Sequence, residues 1–205
     1  MKHYVLLAAL AAATLLAAQA PGGWKMRVDR SAAAADVSAT GDVKFVTQRS
    51  GFHATNAQAA VFWNPANTAK GAYTLKATFT PVKEAGGEYV GLFFGGSDLE
   101  GAGQSYVYFI IAPNGTWQLK SRAGEVASNL APRTPNDAVN KPDAGGKSTN
   151  AVEVRVAAEK IDFVVNGTVV HSAPSSGALA KTGGIYGIRV NHGIEVQIDG
   201  FGVSK

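Results

Sequence analysis

Four aromatic residues in the middle of the chain, Trp63, Tyr106, Tyr108 and Trp117, are accompanied by Gln118 and Lys120, with Arg189 further along. A flat aromatic ring can stack on the apolar face of a pyranose while neighbouring amides and charges bond its hydroxyls. Sites of this kind are mostly apolar with a few placed polar groups. These seven are the candidate ligand-contacting residues. Tyr106 and Tyr108 share one strand face by the two-residue period. On a ligand-facing surface they form a stacking pair; between sheets they are packing. A second candidate site is the loop GGSDLEGAGQ, where Asp98 and Glu100 sit among glycines that let the backbone bend. Oxygen-rich loops of this sort can hold Ca²⁺, which takes about six to eight oxygens, and two carboxylates are a small part of that shell.

Other chemistry finds less support. The strand-borne acids Glu153, Asp162, Glu195 and Asp199 all read as solvated strand positions, whereas glycoside cleavage generally needs two carboxylates about 5 Å or about 6.5–9.5 Å apart. His53, His171 and His192 lie on separate segments without the spacing of a zinc site, and no Gly-x-Ser-x-Gly elbow is present. Gly146-Lys147-Ser148 lacks the leading glycine of a phosphate-binding loop, because position 141 is Lys. With no cysteine in the chain, disulfides, thiolate metal sites and a lipidated cysteine are excluded. The net charge is only +4, and the basic residues are scattered along the sequence rather than gathered in the stripe that nucleic-acid binding leaves. No nucleic-acid partner is expected.

The elements that must position these residues read as strands. Met1 to Ala20 has the form of a cleaved secretory signal peptide: Lys2 and His3, the apolar run YVLLAALAAATLLAA, then Ala18-Gln19-Ala20. The run falls short of the roughly 20 residues of a membrane span, so a secreted or periplasmic protein without a stable membrane anchor is expected. Residues 21–205 are then sized for one domain. Ala32 to Ala35 suggest at most one helical turn. Strands are expected at Val43 to Gln48, in GFHATNAQAAVFWN ending at Trp63, and from Tyr73 to Thr80, with NPANTAKG a loop. The nearly continuous apolar runs EYVGLFFGG and SYVYFIIA read as central strands. Pro113-Asn114-Gly115 turns the chain into TWQLKSR, with Trp117 and Leu119 on one face and Gln118 and Lys120 on the other. Residues 129–150 hold three prolines and few apolar residues, and read as a long loop that is either functional or disordered. Beyond it, AVEVRVA and KIDFVV alternate around Asn166-Gly167, and Ile185 to Val190 is expected to pair with Ile194 to Ile198 across Asn191-His192-Gly193. By the usual spacing of about 8–12 residues this gives about a dozen strands, an all-β fold of sandwich type.

The order YTLKATFTP, YVGLFFGG with its acidic loop, SYVYFIIAPNGTWQLKSR, AVEVRVAAEKIDFVVNGTVVHS and GGIYGIRVNHGIEVQIDGFGV resembles the concanavalin A-like lectin and glucanase superfamily. More narrowly it is similar to the laminin-G-like and 3-keto-disaccharide hydrolase-like domains of exported bacterial proteins. The resemblance runs from Trp24 to Val203 and is most specific in KIDFVVNGTVV, GGIYGIRV and IDGFGV. It implies a two-sheet antiparallel jelly roll whose inner, curved sheet binds sugar. The Glu-x-Asp-x-Glu strand of laminarinase-type members is absent, and so is the usual opening motif of the keto-disaccharide hydrolase-like family.

A non-catalytic, exported carbohydrate-binding domain with a sugar ligand is thus the leading expectation. The alternatives are a glycoside hydrolase-like enzyme and an envelope protein-interaction domain.

Overall fold

A computed structural model describes residues 20–29, 42–82 and 88–205. All but Ala20 of the expected leader, and the alanines at 32 to 35, lie outside these residues. Fourteen strands are described: β1 (Lys25–Val28), β2 (Val43–Gln48), β3 (Gly51–Asn56), β4 (Ala60–Ala69), β5 (Tyr73–Pro81), β6 (Val90–Ser97), β7 (Ser105–Ala112), β8 (Thr116–Ala123), β9 (Val126–Pro135), β10 (Asn150–Val156), β11 (Lys160–Val165), β12 (Thr168–Pro174), β13 (Gly184–Val190) and β14 (Ile194–Ser204). A single 3-10 turn at Gly177–Leu179 joins β12 to β13. The strands form two seven-stranded antiparallel sheets. The front sheet runs β1-β4-β13-β6-β7-β8-β9 and the back sheet runs β12-β11-β10-β5-β14-β3-β2. This is the two-sheet jelly-roll sandwich that the sequence predicts.

Alternation builds the core. Tyr73, Leu75, Ala77 and Phe79 of β5, Val152, Val154 and Val156 of β10, and Ile161, Phe163 and Val165 of β11 point inward from the back sheet. Val90, Leu92 and Phe94 of β6 and Val107, Phe109 and Ile111 of β7 meet them from the front. Phe163 sits at the centre, with its ring 5.1 Å from Phe109 and 6.4 Å from Phe94. The Asn166-Gly167 turn has φ of 50° and 81°, the left-handed geometry that a two-residue hairpin needs.

Four local expectations are corrected. GFHATNAQAAVFWN is two strands, β3 in the back sheet and β4 in the front sheet, because residues 57–59 carry the chain from one sheet to the other. The segment NPANTAKG is mostly strand, since β4 continues to Ala69 through Pro65. β1 pairs with β4 only as far as Trp63, so Pro65 lies where no β1 acceptor asks for its missing N–H. Similarly, β9 takes up the first seven residues of the expected long loop, and its Pro132 and Pro135 are tolerated on an edge strand. Finally, β13 and β14 do not pair: β13 lies between β4 and β6, and β14 between β3 and β5. Asn191-His192-Gly193 is a crossover between sheets.

The remaining loop, residues 136–149, is folded back on the sandwich. Val139 is buried in the core. Asn150, itself buried, accepts from the Asn140 amide N–H at 2.7 Å and from Asn166 Nδ2 at 2.8 Å, and Asn166 Nδ2 also reaches the Ala138 carbonyl. These bonds fasten the loop to the β11–β12 turn.

Phe163→Ala is expected to cost about 3–5 kcal/mol, the usual range for emptying a core phenylalanine site, and urea unfolding will measure it. His171 stacks on Trp117 and Phe163 at 5.2 and 5.8 Å, and burial holds its pKa below the ordinary value. The unfolded chain therefore binds a proton more readily than the folded one. Its contribution is complete above the unfolded pKa of about 6.5 and is lost as pH falls through that value towards the folded one. His171→Phe should flatten that acid-side loss in melting temperatures taken between about pH 5 and 8.

Candidate functional site

Pleating sends every second residue of the front sheet away from the core, and the outer face so formed is unlike its counterpart. On the back sheet the outward positions are mostly half-exposed or exposed threonines and paired polar groups: Arg155 with Glu153 at 2.8 Å, Lys160 with Asp162 at 2.9 Å, and His53 with Glu195 at 3.2 Å. On the front sheet a second apolar cluster gathers Val61 and Trp63 of β4, Phe93 of β6, and Tyr106, Tyr108, Ile110 and Ala112 of β7. Tyr89 and Leu99 join it from the flanking segments.

Asp29 lies at the centre of this face. It follows β1 directly, its amide donates to the Ala59 carbonyl at 2.8 Å, and its carboxyl group has no exposed surface. The Arg189 guanidinium of β13 and the Tyr106 hydroxyl of β7 both donate to Asp29 Oδ2, and Arg122 Nε of β8 stands 3.7 Å from Oδ1. Arg189 also donates to the Tyr106 hydroxyl at 3.2 Å and lies over the Tyr108 ring at 5.2 Å. To reach β7 from β13 it crosses β6, where Gly91 stands opposite Arg189 and has no side chain to block it. A Cβ at Gly91 would collide with the Phe109 carbonyl of β7. Burial, reinforced by the Asp29 carboxylate that accepts its proton, raises the Tyr106 pKa far above the ordinary tyrosine value. Burial raises Tyr108 in the same direction. Both hydroxyls remain protonated at any physiological pH.

Around this buried centre runs a more accessible rim on β8 and β9. Lys120 is half-buried, opposite Tyr108 on one side and Asn129 on the other. Gln118 Nε2 donates to Asn129 Oδ1 at 3.1 Å. Exposed Arg133 lies over the Tyr89 ring at 5.0 Å, and the Tyr89 hydroxyl bonds that of Thr116 at 2.9 Å. Desolvation first, then the guanidiniums of Arg189, Arg122 and Arg133, lower the pKa of Lys120.

Six of the seven sequence candidates thus share this face: Trp63, Tyr106, Tyr108, Gln118, Lys120 and Arg189. Trp117 does not join them. It turns inward, 6.0 Å from Phe109 and stacked on His171, because it alternates with Gln118 on one strand. Three of the aromatics, Trp63, Tyr106 and Tyr108, are no more than 3% exposed, so they are packed within this layer and are not open stacking platforms. The acidic loop is occupied otherwise. Asp98 Oδ2 accepts from the Gly103 amide at 3.0 Å, Glu100 pairs with Lys25 at 2.6 Å, and no group of three or more metal-ligating acids or histidines exists among the described residues. The loop instead closes one end of the face through Leu99, with Arg27 donating to the Leu99 and Gly101 carbonyls.

Sequence reasoning missed Asp29, Arg122 and Arg133 as site residues. Arg122 was within reach, since it shares the two-residue period of Gln118 and Lys120. Asp29 lies at the end of a four-residue strand with no pattern to single it out.

Comparison with known proteins places the fold. No protein-family model and no curated protein matches the sequence. Among solved structures, a carbohydrate-binding module, CBM66, from Bacillus subtilis superposes with a TM-score of 0.63 at 11% identity, covering 89% of this chain and 96% of that one. A Bacteroides ovatus GH16 enzyme of a mixed-linkage glucan locus superposes at 0.56 and 9% identity, with 88% and 93% covered. A family 7 alginate lyase superposes at 0.53 and 15% identity, with 89% and 94% covered. The fold is that of the concanavalin A-like jelly-roll sandwiches, a class that holds both sugar-binding modules and enzymes acting on polysaccharides.

Asp29→Ala leaves two buried guanidiniums without their carboxylate and is expected to cost about 3–5 kcal/mol. Tyr106→Phe, which removes one hydrogen bond to a charged group, should cost about 1.5–3 kcal/mol. Chemical denaturation of both variants checks the order.

Proposed function

We propose that the protein is an exported carbohydrate-binding domain that holds its ligand on the outer face of the front sheet, without chemistry of its own. One observation carries this reading. The front sheet sets accessible amides and cations, Gln118, Lys120, Asn129 and Arg133, beside a buried aromatic cluster on its outer side, while the back sheet's outer face carries paired charges such as Arg155 with Glu153 and Lys160 with Asp162. An apolar floor with a few fixed polar groups is the composition of a ligand site. The likeness to a carbohydrate-binding module supports the reading at the level of fold. Export rests on the form of Met1 to Ala20.

Asp29 favours binding over hydrolysis. Among the described residues it is the carboxylate that acts on Tyr106, Tyr108 and Arg189, and its oxygens face two guanidiniums and a phenol. A carboxylate so engaged, with no exposed surface, is a structural anchor rather than a nucleophile.

Affinity electrophoresis through gels loaded with soluble polysaccharides tests the proposal, and retardation in at least one gel is expected. Gln118→Ala should weaken that interaction about three- to tenfold, the scale of one hydrogen bond. Unretarded migration in every gel would sink the reading. New reducing ends in the retained polysaccharide would move the assignment to hydrolysis.

A further inference from the structure

The cations of the front sheet's outer face are spread along the sequence but meet in space. Lys120 and Arg122 come from β8, Arg133 from β9 and Arg189 from β13, and the three guanidiniums all act on the Lys120 ammonium. Among the described residues Asp29 is the carboxylate that meets them, so these five side chains together carry three positive charges in excess. The whole chain carries only +4, so the excess is a local feature and not a reflection of a strongly basic protein.

The four cations divide into two pairs. Arg122 and Arg189 are buried, at 5% and 6% exposure, and are held by Asp29. Lys120 and Arg133 have no carboxylate partner among the described residues. Lys120 is half-desolvated beside like charges, an arrangement that is unfavourable until an anion arrives. Gln118 and Asn129 lie on the same rim, with a hydrogen bond between their side-chain amides already formed, so their remaining donors and acceptors are held in place. On the back sheet, by contrast, Arg155 and Lys160 each have an acid within 2.9 Å.

We propose that the ligand of this face is an acidic polysaccharide, whose carboxylate or sulfate groups are taken by Lys120 and Arg133 while Gln118 and Asn129 bond the neighbouring hydroxyls. The proposal rests on the carbohydrate-binding reading and adds the charge class of the sugar. Charge-assisted bonds of this kind are about twice as strong as neutral ones and weaken with salt where they are exposed.

The test is affinity electrophoresis of the purified protein in four gels: polygalacturonate, the same polymer with its carboxyl groups reduced to alcohols, dextran sulfate, and neutral dextran. Retardation by polygalacturonate that falls at least tenfold on carboxyl reduction supports the proposal and assigns the anion as a uronate. Retardation by dextran sulfate but not by polygalacturonate supports it with a sulfate ester as the anion. In either case Lys120→Gln and Arg133→Gln should each weaken binding about tenfold, with unchanged melting temperature. Lys76→Gln, an exposed position on the back sheet, should leave binding unaltered. Equal retardation by charged and neutral gels overturns the acidic assignment and leaves carbohydrate binding standing. Retardation by both anionic gels that is indifferent to Lys120→Gln and Arg133→Gln is ion exchange by the whole protein, and overturns it too. Free migration in all four gels, and in the wider neutral panel, removes the carbohydrate reading with it.

Discussion

The two-residue period of the β-strand governs this molecule. Burying one face of each sheet against the other supplies most of the apolar burial, and it obliges every alternate residue of fourteen strands to face away from the core. What the outward residues do is then free to differ between the sheets. The back sheet uses them for solubility, with small threonines and short ion pairs. The front sheet places a second layer of aromatic rings there, a buried satellite cluster outside the main core. The same period explains why Trp117 and Gln118, adjacent in sequence, end on opposite sides of the sheet.

Asp29 makes that outer layer into an ordered site. A carboxylate with no exposed surface is costly unless its charge is met, and here two guanidiniums and a phenolic hydroxyl meet it. The contacts join the end of β1 to β13, β7 and β8, four strands that are spread across the front sheet. Gly91 permits the crossing of Arg189 over β6. Charges fixed in this way reach the rim, where desolvation first and then the Arg189, Arg122 and Arg133 guanidiniums lower the Lys120 pKa. Rigidity in the middle and exposed polar ends at the edge are what a site needs to recognise a polar ligand with little reorganisation.

Prolines shape the edges of this architecture. Pro65 lies in β4 beyond its pairing with β1, and Pro132 and Pro135 lie in β9, the last strand of the front sheet. Missing N–H groups on an edge blunt its tendency to pair with another chain. They also disguise strands as loops when only composition is considered. The first seven residues of the expected loop at 129–150 belong to β9, and β9 carries Asn129 and Arg133, half of the accessible rim.

Alternation and turn chemistry in the sequence determined the all-β class, the pairing of β7 with β8, the Asn166-Gly167 hairpin, and which residues of β5, β10 and β11 face inward. These are local properties, written in a two-residue period and in the positive φ that Asn-Gly supplies. Tertiary structure decided the rest. Whether β13 and β14 pair or separate depends on which edges are free elsewhere, and a three-residue connection serves either outcome. Whether Tyr106 and Tyr108 face the core or the outside depends on the partner sheet, since both of their strand's faces are apolar. The meeting of Asp29 with Arg122 and Arg189, residues up to 160 positions apart, has no local signature. Only the order of strands across the front sheet brings them together, and with them the charge that distinguishes this face.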